Sequence, residues 1–178
     1  LYDCFAIPLA TANVPAIGSL TINVLQDNFS EEYDKLWEEA TTQFPINCGI
    51  KRNAKWLQWK ISHHAVFEIR SKSSKSLIGY TAINKKSGLL VDMLARTPEE
   101  LKAVFQSTLH FLQHSNISRY TLAINKLTGM LTASTEDALS NIPYQKENFT
   151  FAFSSSPLQD LNLFEKLTPF NWYMMPND

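Results

Sequence analysis

The chain has 178 residues, of which 44% are hydrophobic and 12% aromatic, enough apolar material for one full hydrophobic core. This composition excludes global disorder, and no apolar run approaches the roughly 20 residues that are needed to span a bilayer. The 16 Lys and Arg residues balance 17 Asp and Glu residues, for a net charge of -1, so no strong polyanion-binding field is expected. We therefore predict neither a nucleic-acid partner nor a membrane partner.

Cysteine usage and the start of the chain bear on its cellular location. Cys4 and Cys48 are far from the Cys-dense pattern of a small secreted scaffold, although a single bridge between them is the alternative. No signal-peptide pattern follows Leu1, and the chain begins without Met. We predict free thiols, a cytoplasmic location and a chain that is part of a longer protein.

The first third of the chain predicts a linker, a strand and two helices. Residues 1–19 carry Pro and Gly without a clean hydrophobic period, which indicates a linker or an entry segment, and residues 21–25 predict a short strand. Apolar residues at helical spacing predict an amphipathic helix over 31–42. A second, short helix is predicted over 53–60, where Asn53 is a suitable N-cap.

The middle of the chain changes from helical to strand periodicity. Apolar and polar residues alternate in the first of three runs, and short polar turns separate the runs. We therefore predict an antiparallel meander whose last, nearly all-apolar strand is central. The three predicted strands span 67–70, 77–84 and 89–94.

A long helix is predicted to begin at Thr97. Thr97 is the N-cap, Pro98 takes the first helical position and Glu100 completes a capping box. A strand over 120–124 follows, and because a helix separates it from the strand over 89–94, we predict a parallel crossover pairing of the two. The last predicted elements are a weak helix over 130–140 and a strand over 149–153.

The element order over residues 20–178 is β-α-α-β-β-β-α-β-α-β, which predicts one α/β (α+β) domain with a mixed, mostly antiparallel sheet flanked by helices. This order, with the strand texts Leu77-Ile-Gly-Tyr-Thr-Ala-Ile and Leu89-Leu-Val-Asp-Met-Leu-Ala, resembles the GNAT superfamily of acyl-CoA-dependent N-acyltransferases. The resemblance implies acetyl-CoA or another acyl-CoA as co-substrate, no metal, and a small-molecule or peptide amine as acceptor. A further domain before Leu1 is the other partner that we consider.

In this superfamily the acyl-CoA lies where the central strand splays from its neighbour, and a Gly-rich turn at the start of the long helix cradles the pyrophosphate. The resemblance places the co-substrate beside Leu94, Ala95, Arg96 and Thr97. This stretch contains no glycine, and acidic side chains follow it, so the pyrophosphate-binding motif is degenerate. An ordinary capped helix is the alternative interpretation.

Asp92 interrupts the otherwise apolar central strand, where a buried carboxylate needs partners. The resemblance implies a general base that accepts a proton from the amine, and the alternative is a structural carboxylate bonded to the backbone or to a neighbouring Arg. Tyr80 is a candidate for lining the substrate cleft, or else an ordinary core or surface tyrosine. Tyr144 is the candidate acid for the departing thiolate, although Leu139 lies nearer the position where family members place that Tyr.

A cluster of cations and aromatic rings precedes the meander. Two interpretations are open: a stacking, phosphate-binding surface, or an amphipathic helix that buries both Trp side chains, which we favour. The cluster consists of Lys51, Arg52, Lys55, Trp56, Trp59 and Lys60. His110 and His114 have the i, i+4 spacing of zinc ligands but no visible third ligand, so no metal site is predicted.

Two functions from different classes are consistent with these patterns. The first is an acyl-CoA-dependent N-acyltransferase in which Asp92 assists deprotonation of the amine. The second is a non-catalytic GNAT-fold domain that serves as a binding module or as one half of a tandem protein. The element order favours the first, and the missing glycines and the displaced Tyr144 favour the second.

Overall fold

The computed structural model describes residues 2–10, 12–26, 28–44, 48–114, 120–125, 140, 142, 144–151 and 172–173. In chain order its elements are β1 (Tyr2–Ile7), β2 (Leu20–Val24), α1 (Glu32–Gln43), β3 (Cys48–Gly49), α2 (Ala54–Lys60), β4 (Ala65–Ser71), β5 (Leu77–Ile83), β6 (Leu90–Ala95), α3 (Pro98–Gln113), β7 (Tyr120–Asn125), β8 (Gln145–Phe151) and β9 (Trp172–Tyr173). None of the helices in these ranges is long and apolar enough to cross a membrane.

The main sheet has four antiparallel strands in the order β2-β4-β5-β6. The predicted antiparallel meander and the predicted α/β fold class are confirmed. The prediction that the last meander strand is central is wrong, because β6 is an edge strand of this sheet among the described strands. Tyr80 packs against Tyr33 of α1, whereas the next residue, Thr81, is hydrogen-bonded to Thr108 of α3. Because neighbouring residues of a strand point to opposite faces, α1 and α3 cover opposite faces of this sheet.

A second sheet has the order β7-β1-β8, and both of its pairings are antiparallel. Its central strand comes from residues 1–19, which we predicted to be a linker or an entry segment without regular structure, and that prediction is wrong for residues 2–7. Leu9 and Val14, further along this segment, also lie in the hydrophobic core. The local pattern hid this strand because its partners come from distant parts of the chain.

β6 and β7 are close in space but belong to different sheets. Within the part of the chain that the structure describes, β7 pairs only with β1, so the predicted parallel pairing of β7 with β6 is wrong. The helix α3 does connect the two strands as expected. One edge of β6 is therefore left without a paired strand among the described elements, and the sheets separate there.

The helix starts agree closely with the sequence. Asn53 accepts a hydrogen bond from Trp56 N at 2.8 Å, Thr97 accepts one from Glu100 N at 3.2 Å, and Pro98 is the first residue of α3. The expectation that α2 buries both of its Trp side chains is wrong, because Trp59 is 74% exposed. The predicted helix over 130–140 lies outside the described residues except for its last position.

The last two strands, β8 and β9, come from the second half of the chain. The strand predicted over 149–153 begins earlier, as β8. A short parallel pair joins β3 to β9, so the segment before α2 lies beside the C-terminal Trp172–Tyr173.

Gly79 allows α3 to pack closely on the end of β6. A Cβ added at Gly79 would collide with the carbonyl oxygen of Leu94 and with Val104 of α3. The absence of a side chain at this position therefore fixes how near the start of α3 lies to the strand that carries Asp92.

Candidate functional site

Asp92 lies at the centre of a buried polar network. The hydroxyl of Tyr80 donates to Oδ2 of Asp92 at 2.7 Å, and Nε of Arg52 donates to Oδ1 at 3.4 Å. All three side chains are completely buried. The predicted base and the predicted cleft residue are thus brought into contact, with an arginine as the third member.

Arg52 connects this network to the two helices on the same face of the sheet. Its guanidinium carbon lies 5.8 Å from the Trp37 ring of α1 and 5.2 Å from the Trp56 ring of α2. Its Nη1 also donates to the carbonyl oxygen of Ile50 at 2.7 Å. The aromatic faces and these hydrogen bonds offset part of the cost of burying the charge.

Sequence reasoning placed Arg52 in the cluster of cations and aromatic rings before the meander and did not identify it as the partner of Asp92. The available signal was the lone carboxylate on an apolar strand, which requires a cation or several donors. Asp92 is completely buried, and each of its carboxylate oxygens already accepts a hydrogen bond, so an amine would reach it only if the side chains around it move. The role of Asp92 as a base stays a prediction.

The predicted co-substrate residues lie together at the end of β6. Leu94 and Ala95 are buried, and Arg96 and Thr97 are partly exposed. Arg96 is four residues beyond Asp92, which corresponds to about 13 Å along an extended strand. A pocket of about 140 Å³ opens beside them, lined in part by Arg96 and by Glu39 of α1.

The start of α3 is stabilised by the chain's own side chains. Arg96 forms a bidentate pair with Glu100, at 3.0 Å from Nε to Oε2 and 2.5 Å from Nη2 to Oε1. This hydrogen bonding raises the pKa of Arg96. Thr97 already accepts from Glu100 N, and Pro98 has no N–H. The arrangement does not fit a diphosphate unless Arg96 and Thr97 give up these partners.

Two further tyrosines, Tyr33 and Tyr144, differ in burial. Tyr33 donates to Oε1 of Glu68 at 2.8 Å, and burial together with the charge of Glu68 raises the pKa of Tyr33 far above its ordinary value. Tyr144, the predicted acid, is 47% exposed and immediately precedes β8 of the second sheet. Its role also stays a prediction.

Among the residues that the structure describes, no three His, Cys, Asp or Glu side chains come together in a way that could hold a metal ion. His110 is hydrogen-bonded to the segment that follows β1, with its Nδ1 2.8 Å from the carbonyl oxygen of Val14.

The fold is GNAT-like. Its defining features here are the antiparallel meander, the opposite placement of α1 and α3, and the separation of the sheets beside β6. No protein-family model and no curated protein matches the chain.

Solved structures of similar fold were found. A Drosophila protein solved by a structural genomics consortium is 16% identical, with a TM-score of 0.51 over 82% of this chain and 48% of that chain. An Enterococcus faecalis V583 protein described as a probable N-acyltransferase is 12% identical, with a TM-score of 0.48 over 68% of this chain and 32% of its own. A GCN5-related N-acetyltransferase from Sphaerobacter thermophilus is 15% identical, with a TM-score of 0.46 over 70% of this chain and 42% of its own.

At 16% identity, the likeness to the Drosophila protein is one of fold. The chain spans between 32% and 48% of the length of these three structures.

Proposed function

We propose that the chain is an acyl-CoA-dependent N-acyltransferase domain that acts on an amine of a small molecule or peptide. The observation that supports this proposal is the opening between β6 and β7. These strands are neighbours in space, yet each belongs to a different sheet. In the superfamily that the chain resembles, the acyl-CoA lies at such an opening.

The edge of β6 offers a physical reason for thioester binding. A strand edge presents N–H and C=O groups, and an extended ligand with amides pairs with them as an added strand does. The pantetheine arm of an acyl-CoA has such amides. The proposed position of the arm is therefore along β6, between Leu90 and Ala95.

The start of α3 contributes little to this binding mode. Glu100 occupies Arg96, and Glu99 and Glu100 both stand in the first turn, where a diphosphate would be repelled. We therefore propose that affinity comes mainly from the pantetheine arm. Acetyl-CoA and S-acetylpantetheine are then expected to bind with affinities within about a factor of ten.

The reaction needs one proton to leave the amine and one to reach the thiolate. The amine nitrogen attacks the thioester carbonyl, the C–N bond forms, the C–S bond breaks, and the departing thiolate takes a proton. We propose Asp92 for the first transfer and Tyr144 for the second. Because Asp92 also pairs with Arg52, its base role has to be separated from its structural role.

Calorimetric titration of the chain with acetyl-CoA and with S-acetylpantetheine tests this function. Saturable binding of both ligands at micromolar concentrations supports an acyltransferase. Asp92→Asn keeps the shape of the side chain but leaves the buried charge of Arg52 without its carboxylate, so it is expected to lower thermal stability. In preparations that circular dichroism shows to be folded, it is expected to keep acetyl-CoA binding while removing acyl transfer to a general amine acceptor. A variant that binds and transfers as well as the parent chain would exclude Asp92 as the base.

The second candidate is a non-catalytic GNAT-fold domain, as a binding module or as one half of a tandem protein. The self-capped start of α3 and the engaged carboxylate of Asp92 favour it. The same titration separates the candidates, since no heat with either thioester at millimolar concentration would support the non-catalytic domain and contradict the acyltransferase.

A further inference from the structure

α2 presents an exposed face with an unusual combination of side chains. Lys55, Gln58 and Trp59 lie on one side of the helix at i, i+3 and i+4, and Ser62 follows one turn after Gln58. All four are exposed, and Trp59 is 74% exposed. We call these four residues the α2 face. A large aromatic ring left in solvent beside a cation is a feature of ligand-stacking surfaces.

The α2 face lies in a basic stretch of an otherwise balanced chain. The sequence contains no Asp or Glu between Glu39 and Glu68. Among the described residues, Lys51, Lys55 and Lys60 form no salt bridge. These cations are therefore available to an anionic ligand at little cost, because no salt bridge among the described residues has to be broken.

A pocket of about 300 Å³ adjoins the α2 face, and Gln58 and Ser62 belong to both. Asn28 and His64 also line it, and no charged side chain does so among the described residues. Gln58 Oε1 accepts a hydrogen bond from Phe29 N at 3.3 Å, which orients the Gln58 amide. Amides, a hydroxyl and an imidazole suit the neutral polar groups of a ligand.

His64 adds an independent sign of a missing polar partner. Its Nε2 is buried and has no hydrogen-bond partner among the residues that the structure describes. Burial lowers the pKa of His64, so its ring is neutral at pH 7 and has one donor nitrogen and one acceptor nitrogen. A buried polar atom without a partner is unfavourable unless water or a ligand completes it.

We propose that the α2 face and the adjoining pocket bind a nucleoside phosphate. The planar base stacks on Trp59, neutral groups of the base or ribose enter the pocket, and the phosphate contacts Lys55 and Lys60. Lys60 already places its Nζ 5.5 Å from the centre of the Trp59 ring, so cation and stacking surface are adjacent. The chemistry is shared by the nucleotide end of acyl-CoA and by a free or acceptor-linked nucleotide.

This inference does not depend on acyl transfer. The test is calorimetric titration of the chain with ADP, adenosine and inorganic pyrophosphate. ADP is expected to bind more tightly than either part alone, because it engages both Trp59 and the lysines. Trp59→Ala is expected to weaken ADP binding about tenfold or more, and Trp59→Phe is expected to retain most of it.

Lys55→Gln should weaken ADP binding at low ionic strength and reduce its salt dependence. Lys86→Gln is the matched control, because Lys86 is an exposed lysine in the turn between β5 and β6. Equal thermal stability of the variants verifies that they are folded. No saturable ADP binding at millimolar concentration, or equal binding by the parent chain and Trp59→Ala, would overturn the proposal.

Acetyl-CoA distinguishes the two sources of the nucleotide. If acetyl-CoA competes with ADP, and if Trp59→Ala weakens the binding of acetyl-CoA, the site binds the nucleotide end of the thioester. If ADP binds without competition from acetyl-CoA, the site binds a separate nucleotide. Both results support a nucleoside phosphate site. Whether the site exists is decided by the ADP titration of the parent chain and of Trp59→Ala.

Discussion

Two arginine–carboxylate pairs, one on β6 and one just beyond its end, differ in solvent exposure: Arg52 with Asp92, and Arg96 with Glu100. The Arg52–Asp92 pair is wholly inaccessible to solvent, with Nε and Oδ1 3.4 Å apart. The Arg96–Glu100 pair has a closer contact, 2.5 Å from Nη2 to Oε1, but its side chains are 28% and 26% exposed. Distance alone would rank the second pair as the stronger. Burial reverses this order, because water screens and replaces an exposed partner but cannot reach a buried one.

The difference separates a fixed region from an adjustable one. Arg52 cannot leave Asp92 without stranding a charge in the core, so this network acts as a scaffold between α2 and β6. Arg96 can exchange Glu100 for another anion at small cost, because solvent compensates the released carboxylate. The end of β6 is therefore where a ligand can alter the pairing of the chain's own charges.

The largest expected effect comes from breaking the buried pair. Arg52→Met leaves the Asp92 carboxylate without its cation and is expected to cost about 3–5 kcal/mol of unfolding free energy. Urea denaturation followed by circular dichroism measures this loss. Arg96→Met is the matched control, expected to cost less than about 1 kcal/mol.

A double variant sharpens the same comparison. Arg52→Met with Asp92→Leu removes both charges, and part of the loss should be recovered because no buried charge remains. The recovery is incomplete because the buried Tyr80 hydroxyl loses its acceptor on Asp92. Equal losses in Arg52→Met and Arg96→Met would contradict the ranking by burial.

The sequence predicted the elements whose signals are local. The capping residues Asn53 and Thr97 set the starts of α2 and α3, and the predicted meander has the observed strand order. β1 was missed because its partners lie more than a hundred residues away in β7 and β8, and no pattern within residues 1–19 reveals them. Pairing between distant segments depends on the whole fold.

The sequence predicted Asp92 and Tyr80 as residues of the candidate site but did not predict which side chains they contact. The isolated Asp92 in an apolar strand required a partner, and an arginine was among the alternatives. Which arginine takes that place depends on how the segment before α2 crosses the sheet, and the sequence does not specify this. The exposure of Trp59 was missed for the same reason, since the side of a short helix that faces the core is set by its neighbours.

A third arginine, Arg70, has a side-chain exposure between those of Arg52 and Arg96. Arg70 of β4 binds Glu32 of α1 at 2.7 Å and Glu68 at 3.2 Å, and its side chain is 20% exposed. The hydrogen bond from Arg70 lowers the pKa of Glu32. Glu32→Gln is expected to cost about 0.5–1 kcal/mol at pH 7, because the Glu32 side chain is half exposed.

The pH dependence of this effect has a definite sign. Because the folded-state pKa of Glu32 lies below its unfolded value, the ionised pair stabilises the fold above the unfolded pKa. This contribution is lost as the pH falls through the folded pKa. Denaturation of the parent chain and of Glu32→Gln should therefore converge in acid and diverge toward neutral pH. A constant difference across that range would show that Glu32 acts through packing instead of charge.

The smallest expected change in stability carries the most information about the end of β6. Glu100→Gln removes the charge of the partner of Arg96 while keeping its size, and is expected to change the unfolding free energy by about 0.5 kcal/mol or less. Arg96 then keeps its 4.0 Å contact with Glu39, whose side chain is 56% exposed. If Arg96 exchanges this weak contact for a phosphate, acetyl-CoA should bind about tenfold more tightly, whereas S-acetylpantetheine should be unaffected. Glu99→Gln removes an acidic charge from the same helical turn but leaves the Arg96–Glu100 pair in place. A gain confined to Glu100→Gln would show that the arginine, once released, recruits the diphosphate. Equal gains in both variants would attribute the effect to the general field at the start of α3, and no gain in either would mean that the diphosphate lies away from this helix.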